Sequence, residues 1–215
     1  MTALLRAVLF DWDGTLLDSA EASYHCYVRL FSDFGIPFGR AEYQRTYSPD
    51  WYHTFRCVGL PEEQWADADQ RWLSYFAEER LTLAGDVHYA LDRLDRHGIT
   101  KAIVTSGSRN RVTRELVSHG IDHHFEYVVC GTDVEQKKPH PAALRLCLAQ
   151  LGISAEKAAY IGDSPEDVLM ARAANVFSIA VRGAYPNVAA LEAAKPDRIA
   201  DNLTEAVDWL LATSF

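Results

Sequence analysis

The chain has 215 residues, of which 48% are hydrophobic and 24% charged, a balance typical of a folded globular protein rather than a disordered or fibrous one. The formal net charge of −9 argues against nucleic acid as a partner, because phosphate backbones are bound by clustered lysines and arginines. No run approaches the roughly 18 apolar residues of a membrane helix, and no basic segment with a long apolar stretch opens the chain. We therefore expect a cytoplasmic protein with no membrane partner.

The first predicted element is a buried strand, residues 7–10, and a segment of different character follows it. From about Leu17 to Ala84 the sequence has many aromatic residues, no convincing strand, and helical patterns broken near Gly35 and Gly59. We interpret residues 17–84 as an all-helical insert, a cap domain. It interrupts one α/β domain, made of residues 1–16 and 85–215, directly after its first strand.

The rest of the chain alternates short β-branched runs with amphipathic stretches, a pattern typical of a parallel sheet covered by helices. Further strands are predicted at residues 101–104, 127–130, 158–161 and 177–181. Helices are predicted at residues 86–97, 109–119, 141–151, 165–174 and 203–211. The sequence therefore predicts an α/β fold with a Rossmann-like parallel sheet.

Two carboxylates one residue apart, Asp11 and Asp13, follow the first strand and precede Gly14. Like charges within a few ångströms raise the pKa of at least one partner, so the pair is costly unless a cation lies between the two groups or a proton is transferred there. This placement indicates a functional site.

Three further polar segments follow later strands, where open α/β sheets bind ligands. Thr105 and Ser106 offer hydroxyl and N–H groups to an anion. Lys138 stands in a loop restricted by two prolines. Asp163 and Asp167 belong to an acidic turn before a helix, where acidic residues are also common caps. Each segment alone is also compatible with an ordinary structural role.

Taken together, the order DxDGT, a hydroxyl after a later strand, KPxP and GDSxxD resembles the haloacid dehalogenase-like hydrolase superfamily over essentially the whole chain. The insert after the first motif is similar to the helical cap of the subgroup that includes phosphoglycolate phosphatases. In such a cap the substrate's leaving group is recognised, and the cap closes over the site.

The resemblance implies a Mg²⁺-dependent phosphatase that acts on a small phosphorylated metabolite. Asp11 would attack phosphorus to form an aspartyl-phosphate, and Asp13 would act as general acid and then general base. Asp11, the Asp13 carbonyl and Asp163 would hold Mg²⁺, with Asp167 bonding its water or binding it directly. Phosphate contacts are expected from Lys138, which also bridges to Asp11, and from Thr105 and the Ser106 amide, with Gly14 permitting the turn.

Alternatives remain open at this point. A sugar-phosphate mutase would use the same aspartyl-phosphate and differ in how the cap holds its substrate. A haloacid dehalogenase would attack carbon without Mg²⁺, but Asp13 fits phosphoryl transfer better. A phosphonoacetaldehyde hydrolase would need a cap lysine, and no lysine occurs between Met1 and Ile99. A non-catalytic binding protein is disfavoured by the costly acidic cluster.

Within the insert, four basic residues are candidates to reach an anionic substrate, although an ordinary surface role is expected for each: Arg45, Arg56, His25 and His53. Asp18 and Ser19 are expected to begin the first insert helix near a hinge. Five aromatic residues are expected in the core of the insert: Trp51, Tyr52, Trp65, Trp72 and Tyr75.

Overall fold

The computed structural model describes residues 4–48 and 51–213. Its strands in chain order are β1 (Ala7–Phe10), β2 (Leu17–Asp18), β3 (Thr82–Leu83), β4 (Thr100–Val104), β5 (Tyr127–Val129), β6 (Ala158–Gly162), β7 (Phe177–Val181) and β8 (Arg198–Ala200). Its α-helices are α1 (Ala20–Asp33), α2 (Arg40–Thr46), α3 (Trp51–Val58), α4 (Trp65–Glu78), α5 (Val87–Arg96), α6 (Arg109–Ser118), α7 (Ala142–Leu151), α8 (Pro165–Ala173), α9 (Val188–Ala193) and α10 (Leu203–Ala212).

The main sheet has six strands in the order β5-β4-β1-β6-β7-β8, and each neighbouring pair is parallel. Side chains of a strand alternate between its two faces. In β1, Val8 and Phe10 pack with α5, α6 and α10 on one face, while Ala7 and Leu9 pack with α7 and α8 on the other. Helices therefore cover both faces, and the predicted Rossmann-like α/β fold is confirmed.

The insert contains α1 to α4, and these helices have a hydrophobic cluster of their own that includes Tyr27, Phe31 and Phe55. The expectation that this segment has no strand is wrong at its two ends. There β2 and β3 pair antiparallel, Leu17 with Leu83 and Asp18 with Thr82. Strands of two residues are too short to show an alternating pattern, which explains why the sequence did not predict them. The domain boundaries stay a prediction.

Two elements near the C-terminus, α9 and β8, were not predicted from the sequence. Both are short, and β8 lies at the edge of the sheet next to β7, where only one neighbouring strand contributes to its burial. Within residues 4–48 and 51–213, no helix has both the length and the apolar character required to cross a membrane.

Candidate active site

The site lies at the carboxyl ends of the central strands. Asp11 directly follows β1, Thr105 follows β4 and Asp163 follows β6. Because β1 lies between β4 and β6 in a parallel sheet, these three positions meet at one edge. The loop after β5 brings Lys138 to the same edge, where its ammonium contacts Asp11. The topology therefore assembles residues that are far apart in sequence.

Asp11 is buried, and its Oδ1 atom has two partners. The Lys138 ammonium lies 2.8 Å from this oxygen, and the Trp12 N–H donates to it at 2.7 Å. The backbone N–H of Asp11 also donates to the Ile161 carbonyl at 2.9 Å, which continues the strand pairing one residue beyond β1. The carboxylate is thus fixed by both the backbone and a buried cation.

Asp163 is held against the loop that follows Asp11. The Thr15 hydroxyl donates to its Oδ1 at 3.0 Å, and the Asn187 side-chain amide donates to its backbone carbonyl at 3.0 Å. Gly14 passes so close that a Cβ atom there would lie 2.3 Å from Asp163 Oδ2, and its φ is +80°. Only glycine allows this approach in that backbone conformation, which accounts for the glycine in the first motif.

Asp167 is engaged through both carboxylate oxygens. Oδ2 accepts from the Ser164 N–H at 3.1 Å and from its hydroxyl at 2.8 Å, a capping arrangement at the start of α8. Oδ1 contacts the Lys138 ammonium at 2.7 Å and accepts from the Tyr160 hydroxyl at 3.1 Å. Asp167 is therefore both a helix cap and a partner of Lys138.

The donor set fits a divalent cation that prefers oxygen. One carboxylate oxygen from each of Asp11, Asp163 and Asp167 lies within 4.8 Å of the others, and Lys138 is the ammonium that faces Asp11 and Asp167. Three carboxylates opposite one ammonium leave an excess of negative charge, and oxygen ligands are those that Mg²⁺ prefers. Because Asp167 uses both oxygens in hydrogen bonds, Asp11 and Asp163 are better placed to offer one to a metal.

Burial and mutual repulsion shift the ionisation of the cluster. Burial, followed by the charge of Asp167, raises the pKa of Asp11 from 3.8 to about 7, although Lys138 opposes the shift. Burial and the charge of Asp11 also raise the pKa of Asp163 well above its ordinary value. Burial alone would lower the pKa of Lys138, but the ion pairs with Asp11 and Asp167 outweigh burial and raise it. Lys138 therefore stays charged while the carboxylates favour a further cation or a proton.

The Asp13 carboxylate pairs with Arg111 of α6. The two Nη atoms of Arg111 donate to the two carboxylate oxygens, with 3.0 Å between Nη1 and Oδ1. From the sequence, the neighbouring acid Asp11 is the expected main influence on Asp13. The structure differs because Arg111, 98 residues away in sequence, forms hydrogen bonds with Asp13. Asp13 thus has a cation as its direct partner.

The predicted phosphate-binding residues stand where β4 ends. Phe10 pairs with Ile103, so Asp11 lies level with Val104, and Thr105 comes one residue later. Thr105 is buried, and its hydroxyl accepts from the Gly107 N–H at 3.1 Å. Ser106 is exposed. Both residues share the edge of the sheet with Asp11, as expected from the order of the motifs.

The insert residues follow most of the expectations. Arg45, Arg56, His25 and His53 are exposed, as predicted for surface residues. Ser19 immediately precedes α1, but the expectation for Asp18 is wrong, because Asp18 lies in β2. The Ser19 hydroxyl lies 3.0 Å from that of Tyr185. Trp51, Trp65, Trp72 and Tyr75 pack against the insert core, but the prediction for Tyr52 is wrong, because 37% of it is exposed. It stacks on Trp65 at the surface, 5.1 Å between ring centroids.

Three residues of the site were missed by the sequence analysis. Tyr160 accepts from Lys138 at 2.8 Å and donates to the Val104 carbonyl at 2.8 Å. Tyr185 lies against Gly14 and stacks on Tyr47 of the insert, with 4.8 Å between the ring centroids. Arg111 is the third. The two prolines that follow Lys138 indicated that the loop presents the ammonium in one direction, but they did not identify Tyr160 as its acceptor.

Several known proteins are similar to this chain over most of its length. A phosphoglycolate phosphatase from Nitrosococcus oceani is 30% identical over 214 residues, which cover 94% of this chain and 95% of that protein. The pyrophosphatase PpaX from Oceanobacillus iheyensis is 26% identical over 210 residues, 94% of this chain and 95% of that protein. A solved structure of a putative haloacid dehalogenase-like hydrolase from Bacteroides fragilis is 27% identical, with a TM-score of 0.84 over 94% of this chain and 100% of that one.

The family model described as haloacid dehalogenase-like hydrolase matches residues 8–181. This span begins within β1 and ends with β7, so it includes Asp11, Thr105, Lys138 and Asp163 together with the whole insert. The chain belongs to the haloacid dehalogenase-like hydrolase family.

Proposed function

We propose that this chain is a Mg²⁺-dependent phosphatase that hydrolyses a small phosphorylated metabolite through an aspartyl-phosphate on Asp11. One observation carries the proposal: the buried Asp11 carboxylate stands at the end of the central strand with the Lys138 ammonium 2.8 Å from Oδ1. An anionic nucleophile needs nearby positive charge to approach a phosphate. The Lys138 ammonium supplies part of that charge beside Asp11, and a divalent cation held by the acidic set would supply the rest.

In the first step an Asp11 oxygen forms a bond to phosphorus while the bond between phosphorus and the leaving oxygen breaks. For this step Asp13 has to exchange one of its two contacts with Arg111 for a proton, and it gives that proton to the leaving oxygen, so the products are an alcohol and an aspartyl-phosphate. In the second step a water oxygen bonds to phosphorus and its proton passes to Asp13. The bond between phosphorus and Asp11 then breaks, inorganic phosphate leaves, and both aspartates return to their starting states.

The remaining residues hold the phosphate. Lys138 neutralises charge on Asp11 and on the transferring phosphoryl group. The Thr105 hydroxyl and the Ser106 N–H donate hydrogen bonds to phosphate oxygens. Gly14 lets the loop approach Asp163. Mg²⁺, held by Asp11, the Asp13 carbonyl and Asp163 with Asp167 orienting its water, would neutralise the phosphate during transfer. The charge excess and oxygen-only composition of the cluster support this assignment.

The names of the relatives suggest which substrates to test first. One is called a phosphoglycolate phosphatase and another a pyrophosphatase, so the panel contains phosphoglycolate, pyrophosphate and hexose phosphates, with p-nitrophenyl phosphate as a general probe. The measurement is phosphate release with Mg²⁺ and after its removal by a chelator. We expect turnover that requires the metal and is highest for one member of the panel.

The variant Asp11→Asn tests the nucleophile. It is expected to abolish turnover, because an amide oxygen does not form the acyl-phosphate. Asp122→Asn is the matched control, since Asp122 is an exposed aspartate in a short 3₁₀ turn and belongs to none of the motifs. Turnover by Asp11→Asn at the wild-type rate, or wild-type turnover unaffected by the chelator, would contradict the proposal.

A further inference from the structure

Two residues one turn apart on α6, Arg111 and Glu115, form hydrogen bonds with the loop that contains Asp13. Arg111 donates to both carboxylate oxygens of Asp13. Glu115 accepts from Arg111 at 3.1 Å and from the Trp12 indole N–H at 2.7 Å. Trp12 and Asp13 are adjacent in the chain, so the Arg111–Glu115 pair closes a ring of contacts around them. The ring fixes the Asp13 side chain relative to the helix.

The guanidinium of Arg111 is itself enclosed. Only 15% of its side chain is exposed, and its carbon lies 5.2 Å from the ring centroid of Phe76, a buried residue of α4 in the insert. On another side it packs against Gly107, where an added Cβ atom would lie 2.6 Å from Nη2. The position of the guanidinium is therefore set by the loop after β4, by α6 and by α4 of the insert.

This arrangement differs from an ordinary surface ion pair. Exposed pairs hold two long side chains loosely and contribute little, whereas a two-pronged contact between guanidinium and carboxylate also fixes the plane of the carboxylate. Transfer of a proton depends on the acid lying within hydrogen-bond reach of its target. One of the two contacts has to open when Asp13 takes up its proton, and the other still fixes the carboxyl group relative to α6.

We propose that Arg111 is a positioning residue for Asp13: held by Glu115 and by the ring of Phe76, it sets where the carboxylate that transfers the proton stands. The proposal rests on the proposed function, because Asp13 transfers a proton only if the chain is a phosphatase of that mechanism. Arg111 acts through Asp13 and has no direct role on the phosphate.

The test uses Arg111→Met and a series of para-substituted phenyl phosphates, from nitro to methoxy, which are similar in size but differ in leaving-group basicity. The rate of phenol release is measured in a single turnover with enzyme in excess. A weakly basic nitrophenolate leaves with little help, whereas a methoxyphenolate needs the proton. We expect the ratio of the nitro to the methoxy rate to rise about tenfold in Arg111→Met, which is less than the roughly 10²–10⁴-fold that a general acid contributes, because the acid is displaced and not removed.

A double-mutant cycle shows whether Arg111 acts through Asp13. Asp13→Asn is expected to raise the same ratio, and Arg111→Met on top of Asp13→Asn to change it no further. An unchanged ratio in Arg111→Met would overturn the proposal. If Arg111→Met raises the ratio by the same factor with and without the Asp13 carboxylate, the proposal is also overturned, because Arg111 then acts independently of Asp13.

Two more variants separate positioning from folding. Arg114→Met changes an exposed arginine on the same helix and is expected to keep the wild-type ratio. If Arg111→Met does not fold, Arg111→Lys keeps a cation without the two-pronged contact and is expected to give an intermediate ratio; a wild-type ratio there would overturn the proposal. Failure of the proposed function gives different results: either the wild-type enzyme releases no phosphate, or the Asp11→Asn variant is active. In that case the proposal for Arg111 fails as well.

Discussion

The variant Tyr160→Phe removes one oxygen atom from the centre of the site and tests how Lys138 is held. The Tyr160 hydroxyl is buried in β6, where it accepts from the Lys138 ammonium at 2.8 Å. It carries a single proton, which it shares between the Val104 carbonyl at 2.8 Å and Asp167 Oδ1 at 3.1 Å. Phenylalanine keeps the ring and its packing but leaves the ammonium with one acceptor fewer.

The expected loss of stability follows from these contacts. A hydrogen bond to a charged group contributes about 1.5–3 kcal/mol, and a buried polar group without a partner adds a further cost. We expect the free energy of unfolding to fall by about 2.5 kcal/mol, which lowers the Tm of a chain of this length by roughly 5–10 °C. A less constrained ammonium should also lower kcat, by roughly tenfold, because alignment at the reacting atoms is lost.

Differential scanning calorimetry and phosphate-release kinetics measure the two effects. Tyr89→Phe is the control, because Tyr89 is an exposed tyrosine of α5 and belongs to none of the motifs. If Tyr160→Phe keeps its Tm to within about 1 °C and its full kcat, the hydroxyl does not hold Lys138, and the reasoning from the hydrogen-bond network is refuted.

Three further predictions concern the same site. Lys138→Met should lower kcat roughly 100-fold or more, since it removes positive charge beside the nucleophile; Lys157→Met, at an exposed position, is the control, and comparable rates for both would exclude the assigned role. Gly14→Ala should weaken Mg²⁺ binding measured by titration calorimetry more than Gly98→Ala, because φ is positive at both positions but only Gly14 has Asp163 in the way; equal affinities would contradict this. The pKa of Asp11 is raised to about 7, so between about pH 4 and pH 7 the folded metal-free protein holds a proton that the unfolded chain gives up. The contribution of Asp11 to stability is therefore present at low pH and is lost as the pH rises from about 4 to about 7. The Tm of metal-free wild type relative to Asp11→Asn should fall across that window, and the Tm gain from Mg²⁺ should be larger at the upper end, where no proton has to be displaced; a gain independent of pH would count against a metal on Asp11.

The residues that the sequence identified are those whose positions follow from strand ends. Asp11, Thr105 and Asp163 each come directly after a strand that shows a clear apolar run, and parallel strands bring their carboxyl ends together. Lys138 was identifiable because two prolines follow it closely in a loop. For these residues local pattern and topology are sufficient, and the structure brings Asp11, Asp163 and Lys138 together.

Arg111 and Tyr160 could not be found in this way. Arg111 and Glu115 are four residues apart on a helix, a spacing that is typical of ordinary surface ion pairs, and nothing local shows that the pair meets Asp13. Tyr160 is one of several apolar residues in β6, and its hydroxyl reaches the site only because Leu9 pairs with Tyr160 and places it beside Val104 and Lys138. Both depend on contacts between distant segments.

The pairing of β2 with β3 has a consequence for how the sheet can form. The chain leaves the core at Asp18 and returns at Thr82, and these two residues are partners across one strand spacing. Once this pair has formed, the length of the insert no longer adds to the loop-closure entropy of joining β1 to β4, because the loop is already closed at its base. For the assembly of the sheet, the whole insert then counts as a short connection.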